Sequence, residues 1–146
     1  MEDPFLNDLW QDLGNYDKGE TFEEAENHQK ETPSLAYLRL KNIGEHSPLA
    51  DSLVKDIQNS IIRYIETIDA LTVAKIKKDE PKERERSDLA RRLAHNALIS
   101  NLNILNRYCL KNGLDTGWRI MIGSDRDQVK TWALGVAKEV IQERLR

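Results

Sequence analysis

The chain has 146 residues with 22 basic and 25 acidic side chains, a net charge of −3 and 39% hydrophobic residues. Its one cysteine excludes an internal disulfide framework and a thiol-based zinc or redox motif. Its longest stretch without Asp, Glu, Lys or Arg, residues 93–106, is interrupted by Asn, His and Ser, so the sequence predicts no membrane span. The acidic start MEDPFLNDLW differs from a signal peptide, and we expect a cytoplasmic protein.

The charge is unevenly placed along the chain. Residues 1–34 contain ten acidic residues and two lysines, a net charge of −8, which leaves +5 for residues 35–146. In residues 15–33 the only sizeable apolar side chains are Tyr16 and Phe22, too few to offset a backbone ordering cost of ~1–2 kcal/mol per residue. The sequence therefore predicts a largely disordered acidic arm, residues 1–34, and a helical bundle domain, residues 35–146.

A short amphipathic helix is predicted within this arm at residues 4–13. Asp3-Pro4 has the pattern of a helix cap followed by a first-turn proline, and Gly14 ends the apolar run. Its apolar residues recur at the spacing of a helix that docks in a groove, and the proposed peptide anchor consists of Phe5, Leu6, Trp10 and Leu13. A helix this short is marginal in water, so we expect it to pack on its own bundle or on another protein.

Two long helices of equal length are predicted next, at about residues 48–78 and 82–112. The first begins at Ser47-Pro48, and both have apolar residues that recur at three and four positions. The second ends at Asn112-Gly113, which supplies a left-handed stop. Because only a short turn separates them, the two helices are expected to form an antiparallel hairpin.

A third long helix is predicted at about residues 125–145, where Ser124 to Asp127 resembles a capping box. A shorter helix is expected near 33–41, and Trp118 to Ile122 is expected to be a brief extended connector over the core. No other segment alternates with a period of two for long enough to build a sheet. The sequence thus predicts an all-α antiparallel bundle of three principal helices.

The second long helix carries an unusual polar face. Asn is a poor helix former, yet four occur between residues 96 and 106. A hydrated surface is the ordinary explanation, and a face that holds a polar partner, a ligand or a buried hydrogen-bond network is the specific one. At ~100° per residue the candidate binding residues share one side of the helix, and they are Arg92, His95, Asn96, Asn103, Asn106 and Arg107.

Asn101 falls opposite this face, within the apolar arc of the same helix. A polar side chain there costs ~1–3 kcal/mol unless it is hydrogen-bonded. Two interpretations stay open for it. Asn101 is either an ordinary amide, bonded in the core or exposed on an imperfectly packed helix, or a residue that fixes the register or oligomeric state of self-association, as a buried Asn does in coiled coils.

Residues 84–108 resemble the central segment of a family of small bacterial all-helical proteins of unknown function. The resemblance depends on the spacing of the six candidate binding residues, and it implies a bacterial cytosolic protein without assigning an activity. Arg91 and Arg92 also precede His95 in an order that resembles HEPN-type RNA-cleaving proteins. Their spacing from the histidine is shorter than in that family, which disfavours an enzyme.

We therefore expect a non-enzymatic protein-interaction or regulatory module that acts through helical surfaces, without a cofactor or metal. Its partner would be another protein or a second copy in a homodimer. Two alternatives stay open. The basic run from Lys75 to Arg92 favours weak nucleic-acid binding, although five acidic residues interleave with it. An RNA-cleaving or ligand-hydrolysing enzyme would be centred on Arg92 and His95.

Overall fold

The structure is a computed structural model that describes residues 22–77 and 80–145, with side chains from residue 32 onward. These ranges contain five α-helices and no strand, which confirms the predicted all-α fold. The helices are, in chain order, α1 (Phe22–Ile43), α2 (Pro48–Ile76), α3 (Pro81–Asn112), α4 (Gly117–Ile122) and α5 (Arg126–Arg144), with a 3₁₀ turn at Gly44–His46.

The long helices α2 and α3 form the predicted antiparallel hairpin. Ser47 caps α2, because its Oγ accepts a hydrogen bond from the backbone N–H of Ala50 at 3.0 Å. Gly113 ends α3 in the left-handed conformation, with φ of 64°. The apolar stripes of the two helices face each other, and the side chains with no exposed surface along them include Ile57, Ile61, Tyr64, Leu98, Leu102 and Leu105.

The base of the hairpin is joined by Tyr108 near the end of α3. Its hydroxyl lies 2.6 Å from Ser47 Oγ and 2.6 Å from His46 Nδ1. The imidazole of His46 also meets the ring of Tyr108 edge-on, with the ring centroids 5.6 Å apart. The residue that caps α2 is therefore bonded directly to α3.

The first helix is longer than the sequence predicted. It begins at Phe22, so the expected start at Pro33 was wrong, and residues 22–32 of the predicted linker are helical. The charged and polar residues of this stretch are mostly good helix formers, and α1 crosses the predicted boundary between arm and bundle at residue 34. The predicted helix at residues 4–13, with its anchor residues Phe5, Leu6, Trp10 and Leu13, lies outside the described residues.

Pro33 is accommodated inside α1 by contacts with α5. The indole Nε1 of Trp132 donates to the carbonyl oxygen of Pro33 at 3.2 Å. Gly135, one turn further along α5, leaves room for the proline ring, since a Cβ there would lie 3.0 Å from Cβ and Cγ of Pro33. The proline that interrupts the backbone bonding of α1 thus lies where α5 packs closest to it.

The segment from Trp118 to Ile122 is helical, so the prediction of an extended connector was wrong. It forms α4, and the indole of Trp118 is fully buried in the core and donates to the carbonyl oxygen of Asp115 at 2.9 Å. Ile122 is also buried, whereas Ile120 is 79% exposed. Residues four apart, such as Trp118 and Ile122, lie on the same side of a helix and also on the same side of a strand. The spacing of these apolar residues therefore could not distinguish a helix from a strand.

The last helix, α5, connects α1 to the hairpin. Asp125 and Gln128 form a reciprocal capping box at its start. Near its end the carboxylate of Glu143 accepts hydrogen bonds from Tyr37 Oη at 2.5 Å, from Lys41 Nζ at 2.5 Å and from Gln58 Nε2 at 3.4 Å. Burial and this carboxylate together raise the pKa of the Tyr37 phenol, which therefore stays protonated. One carboxylate thus holds α1, α2 and α5 together.

Truncation of the hairpin core will destabilise the protein. Leu102 has no exposed surface, so we expect Leu102→Ala to lower the free energy of unfolding by ~2–5 kcal/mol. Leu110→Ala on the same helix is the matched control, because Leu110 is 65% exposed and its loss is expected to change stability by less than ~0.5 kcal/mol. Urea unfolding monitored by circular dichroism measures both, and equal losses would contradict the assigned core.

The close packing of Pro33 on Gly135 gives a second prediction. We expect Gly135→Ala to lower the free energy of unfolding. Overpacking costs ~1–3 kcal/mol, which exceeds the ~1 kcal/mol gained from the higher helix propensity of Ala relative to Gly. In a Pro33→Gly background both contact atoms, Cβ and Cγ, are gone, and the same substitution should stabilise the protein. A double-mutant cycle by urea unfolding measures this coupling, and an unchanged effect in both backgrounds would contradict it.

Candidate functional site

A cleft of about 420 Å³ lies between the N-terminal half of α3 and the start of α5, next to the buried Tyr64 of α2. We call it the basic cleft. Three of the six predicted binding residues, Arg92, His95 and Asn96, line it. The other lining residues are Leu89, Arg91 and Leu93 of α3 and Arg126, Asp127 and Lys130 of α5.

Cationic side chains stand on both walls of the basic cleft. Arg91 and Arg92 belong to the α3 wall, and Arg126 and Lys130 to the α5 wall. Asp88 accepts a hydrogen bond from Arg91 at 3.2 Å and forms an ion pair with Arg92 at 3.3 Å, and Asp127 lines the basic cleft itself. Because four cations outnumber two carboxylates, the basic cleft attracts negatively charged groups.

His95 is buried, although it lies on the same side of α3 as the other five predicted binding residues. Only 5% of its surface is accessible, because the start of α5 lies over it. Its Nε2 lies 3.2 Å from the carbonyl oxygen of Arg126, which can only accept, so Nε2 carries the proton. Its ring packs on Tyr64 with the ring centroids 5.2 Å apart. His95 therefore joins α3 to α5 and fixes one wall of the basic cleft.

The surroundings of His95 keep its ring neutral. Burial is the main cause that lowers its pKa from the usual 6.5, and the charges of Arg126, Arg91 and Lys130 lower it further. The bond to the Arg126 carbonyl acts in the opposite direction but is the smaller effect. The positive charge of the basic cleft thus comes from the arginine and lysine side chains.

The predicted amide face is divided in the structure. Asn96 is exposed at the basic cleft, whereas Asn103 lies seven residues further along α3 and accepts from Arg119 Nε of α4 at 3.2 Å. Asn106 is half-buried, and among the described residues nothing donates to its buried Oδ1. Arg107 is exposed and takes no part in the lining of the cleft. Of the six residues, only Arg92, His95 and Asn96 therefore meet in the basic cleft.

Asn101 is the bonded amide of the first interpretation. Its Nδ2 donates to Ser60 Oγ at 2.5 Å and to the carbonyl oxygen of Asp56 at 3.4 Å, and both partners belong to α2. The bond therefore fixes the register of α2 against α3 within one chain. Cys109, treated from sequence as a small buried hydrophobe, has no exposed surface, and burial raises the pKa of its thiol.

The basic run from Lys75 to Arg92 carries paired charges where the structure describes it. Besides the two pairs on Asp88, Arg86 lies 3.5 Å from Glu83 on the exposed first turns of α3. Such exposed pairs contribute little to stability. The carboxylates of Glu83 and Asp88 also reduce the net positive charge that this run offers to a phosphate backbone.

Sequence reasoning missed the α5 wall of the basic cleft. Arg126 and Lys130 are four residues apart and therefore share one face of α5, which a helical wheel of α5 alone shows. Nothing in the sequence indicates that this face lies beside Arg92. The position of Arg126 and Lys130 beside Arg92 depends on how α5 packs on the hairpin. The hydrogen bond from His95 to the carbonyl oxygen of Arg126 is part of that packing.

No helix in residues 22–77 or 80–145 has both the length and the apolar character that a membrane span needs. In the same ranges no group of three His, Cys, Asp or Glu side chains is arranged to hold a metal ion.

Comparison with known proteins places the chain in a family. The family model described as "Protein of unknown function (DUF3232)" matches residues 21–144. No curated protein and no solved structure matches the chain. The match covers all five helices and both walls of the basic cleft.

The buried, neutral His95 predicts a pH dependence of stability. Its pKa is lower in the folded than in the unfolded chain, so the unfolded state takes up the proton first as the pH falls below about 6.5. We expect the free energy of unfolding to decline from pH 7.5 to pH 5, and to decline less in His95→Asn. The other two histidines are present in both proteins and cancel in the difference. Equal declines by urea unfolding would contradict this prediction.

Proposed function

This chain belongs to the DUF3232 family, and we propose that it is a non-enzymatic protein-interaction module whose basic cleft receives an acidic amphipathic helix of a partner protein. The observation that carries the proposal is the combination of cations on both walls of the basic cleft with two exposed leucines on one of them. The cations match the acidic flanks of such a helix, and the leucines match its apolar stripe.

The exposed leucines favour a helical peptide over a small anion. Leu89 and Leu93 are 50% and 60% exposed, and they lie four residues apart on the side of α3 that lines the basic cleft. A free phosphate would engage Arg92 and Arg126 but leave both leucines in water. A helix with an apolar stripe and acidic flanks covers the leucines and pairs with the cations at the same time.

The expected affinity is modest. Full burial of a leucine contributes ~1.5–3 kcal/mol, and Leu89 and Leu93 have about half of their surface left to cover. Exposed ion pairs add ~0–1 kcal/mol each. The lost translational and rotational freedom opposes binding by ~4–15 kcal/mol. We therefore expect a weak, transient complex.

The position of His95 supports binding over catalysis. A general base or acid needs a ring nitrogen within reach of a substrate, but the His95 ring is buried and its Nε2 donates to the Arg126 carbonyl. Its lowered pKa also keeps it unprotonated at neutral pH, which removes the charge that a phosphate-binding histidine supplies. In this proposal His95 positions the α5 wall of the basic cleft.

Fluorescence anisotropy with a synthetic peptide tests the proposal. The probe is a labelled model helix with Leu and Trp at i, i+4 and i+7 and Glu at the flanking positions, added to the full chain. We expect saturable binding that weakens about tenfold, or ~1.4 kcal/mol, in Arg92→Glu/Arg126→Glu. Added salt should weaken it as well.

Two controls make this experiment decisive. Arg84→Glu/Arg86→Glu makes the same change of charge on exposed turns of α3 away from the basic cleft, and binding should stay within about twofold. A peptide with Lys in place of Glu should not bind. Equal losses in both charge-reversed variants would overturn the proposal. Tighter binding of a single-stranded RNA oligonucleotide than of the peptide would favour the nucleic-acid alternative instead.

A further inference from the structure

We infer that the acidic N-terminal segment of this same chain, residues 2–17, occupies the basic cleft in cis and competes there with the partner. The inference rests on the proposed function, because it assigns to the same cleft an internal ligand of the same chemistry. The segment's sequence and the described geometry of the cleft carry the argument.

The charges of the two surfaces are complementary. Residues 2–17 contain five acidic residues and no Lys or Arg. The basic cleft presents Arg91 and Arg92 on one wall and Arg126 and Lys130 on the other. Opposite charge on the two surfaces favours their encounter and disfavours binding of basic segments.

The arrangement of charge within the segment also fits a cleft with two cationic walls. In the helix predicted at residues 4–13, five apolar side chains form one stripe: Phe5, Leu6, Leu9, Trp10 and Leu13. At ~100° per residue, Asp3 and Asp12 lie on opposite sides of this stripe, each about 90° from its centre. With the stripe on Leu89 and Leu93, one carboxylate faces each wall.

The direction of α1 favours this placement. Helices α1 and α5 run in the same direction, because Pro33 contacts Trp132, Ser34 contacts Glu139 and Tyr37 contacts Glu143. The N-terminal part of α1 therefore extends towards the end of α5 that bears Arg126. Eight residues, 14–21, connect the predicted helix to α1, and they span up to ~26 Å at about 3.3 Å per residue.

Covalent attachment favours the N-terminal segment over a separate peptide as the occupant of the basic cleft. A short linker gives an attached segment an effective concentration of about millimolar. The contacts of the basic cleft support only a transient complex with a separate peptide, so an attached segment of equal chemistry occupies the cleft first. A partner then binds only if its helix fits better or if the segment is removed.

Quenching of Trp10 fluorescence by acrylamide tests the inference in the full chain. The other tryptophans, Trp118 and Trp132, are buried, and subtraction of the Trp10→Phe emission isolates Trp10. We expect Trp10 to be protected in the unmodified chain. Its quenching constant should rise at least about twofold in Arg92→Glu/Arg126→Glu and stay unchanged in Arg84→Glu/Arg86→Glu.

A charge swap provides the specific confirmation. Asp3→Lys/Asp12→Lys should expose Trp10 in the unmodified cleft and protect it again in the Arg92→Glu/Arg126→Glu chain. An accessible Trp10 in the unmodified chain, or equal exposure by both arginine variants, would overturn the inference. Protection that rises with protein concentration would also overturn it, because the occupant would then belong to a second copy.

The peptide assay separates this inference from the proposed function. Trp10→Ser/Leu13→Ser should strengthen binding of the model peptide several-fold by freeing the basic cleft. If the peptide binds the cleft but Trp10 is accessible, the proposed function stands and the cis contact is wrong. If Trp10 is protected by the cleft but no peptide binds even in Trp10→Ser/Leu13→Ser, the partner-binding function is wrong.

Discussion

The apolar seam between α2 and α3 is the constraint on which the remaining helices depend. Its two stripes leave no exposed surface on residues such as Ile61 and Leu102, and Asn101 fixes their register by bonding to Ser60. A slip along this seam would separate the Asn101 amide from Ser60 and Asp56 of α2 and lose both hydrogen bonds. The register of the seam therefore determines which side chains of α2 and α3 face outward, and α1 and α5 pack on these outward-facing side chains.

The basic cleft exists because α5 packs mainly on α1 and α2 and only approaches α3 near its own start. The start of α5 covers His95 and bonds to it, so two walls from distant parts of the sequence meet at a defined spacing. At its other end Glu143 bonds to residues of α1 and α2, which holds α5 in place. The charge of the cleft and its shape thus have different origins, since the charge comes from exposed side chains and the shape from buried ones.

The sequence predicted the helices well where single residues mark their ends. Ser47-Pro48 and Gly113 bound the hairpin as expected, because a cap and a left-handed glycine act locally. Pro33 misled for the same reason: it has the local pattern of a helix start, but its contacts with Trp132 and Gly135 are tertiary. Of the site, a wheel of α3 found Arg92, His95 and Asn96, whereas it could not show that His95 is buried because a wheel contains no neighbouring helix.

The bond between the cap of α2 and Tyr108 links the ends of two helices that are far apart in sequence. Helix ends ordinarily fray independently, since their terminal backbone groups lack partners. Here the hydroxyl of Ser47 contacts both the first turn of α2 and the last turns of α3, so unwinding at either end disturbs the other. Amide hydrogens on both sides of this junction should consequently exchange with solvent as one cooperative unit.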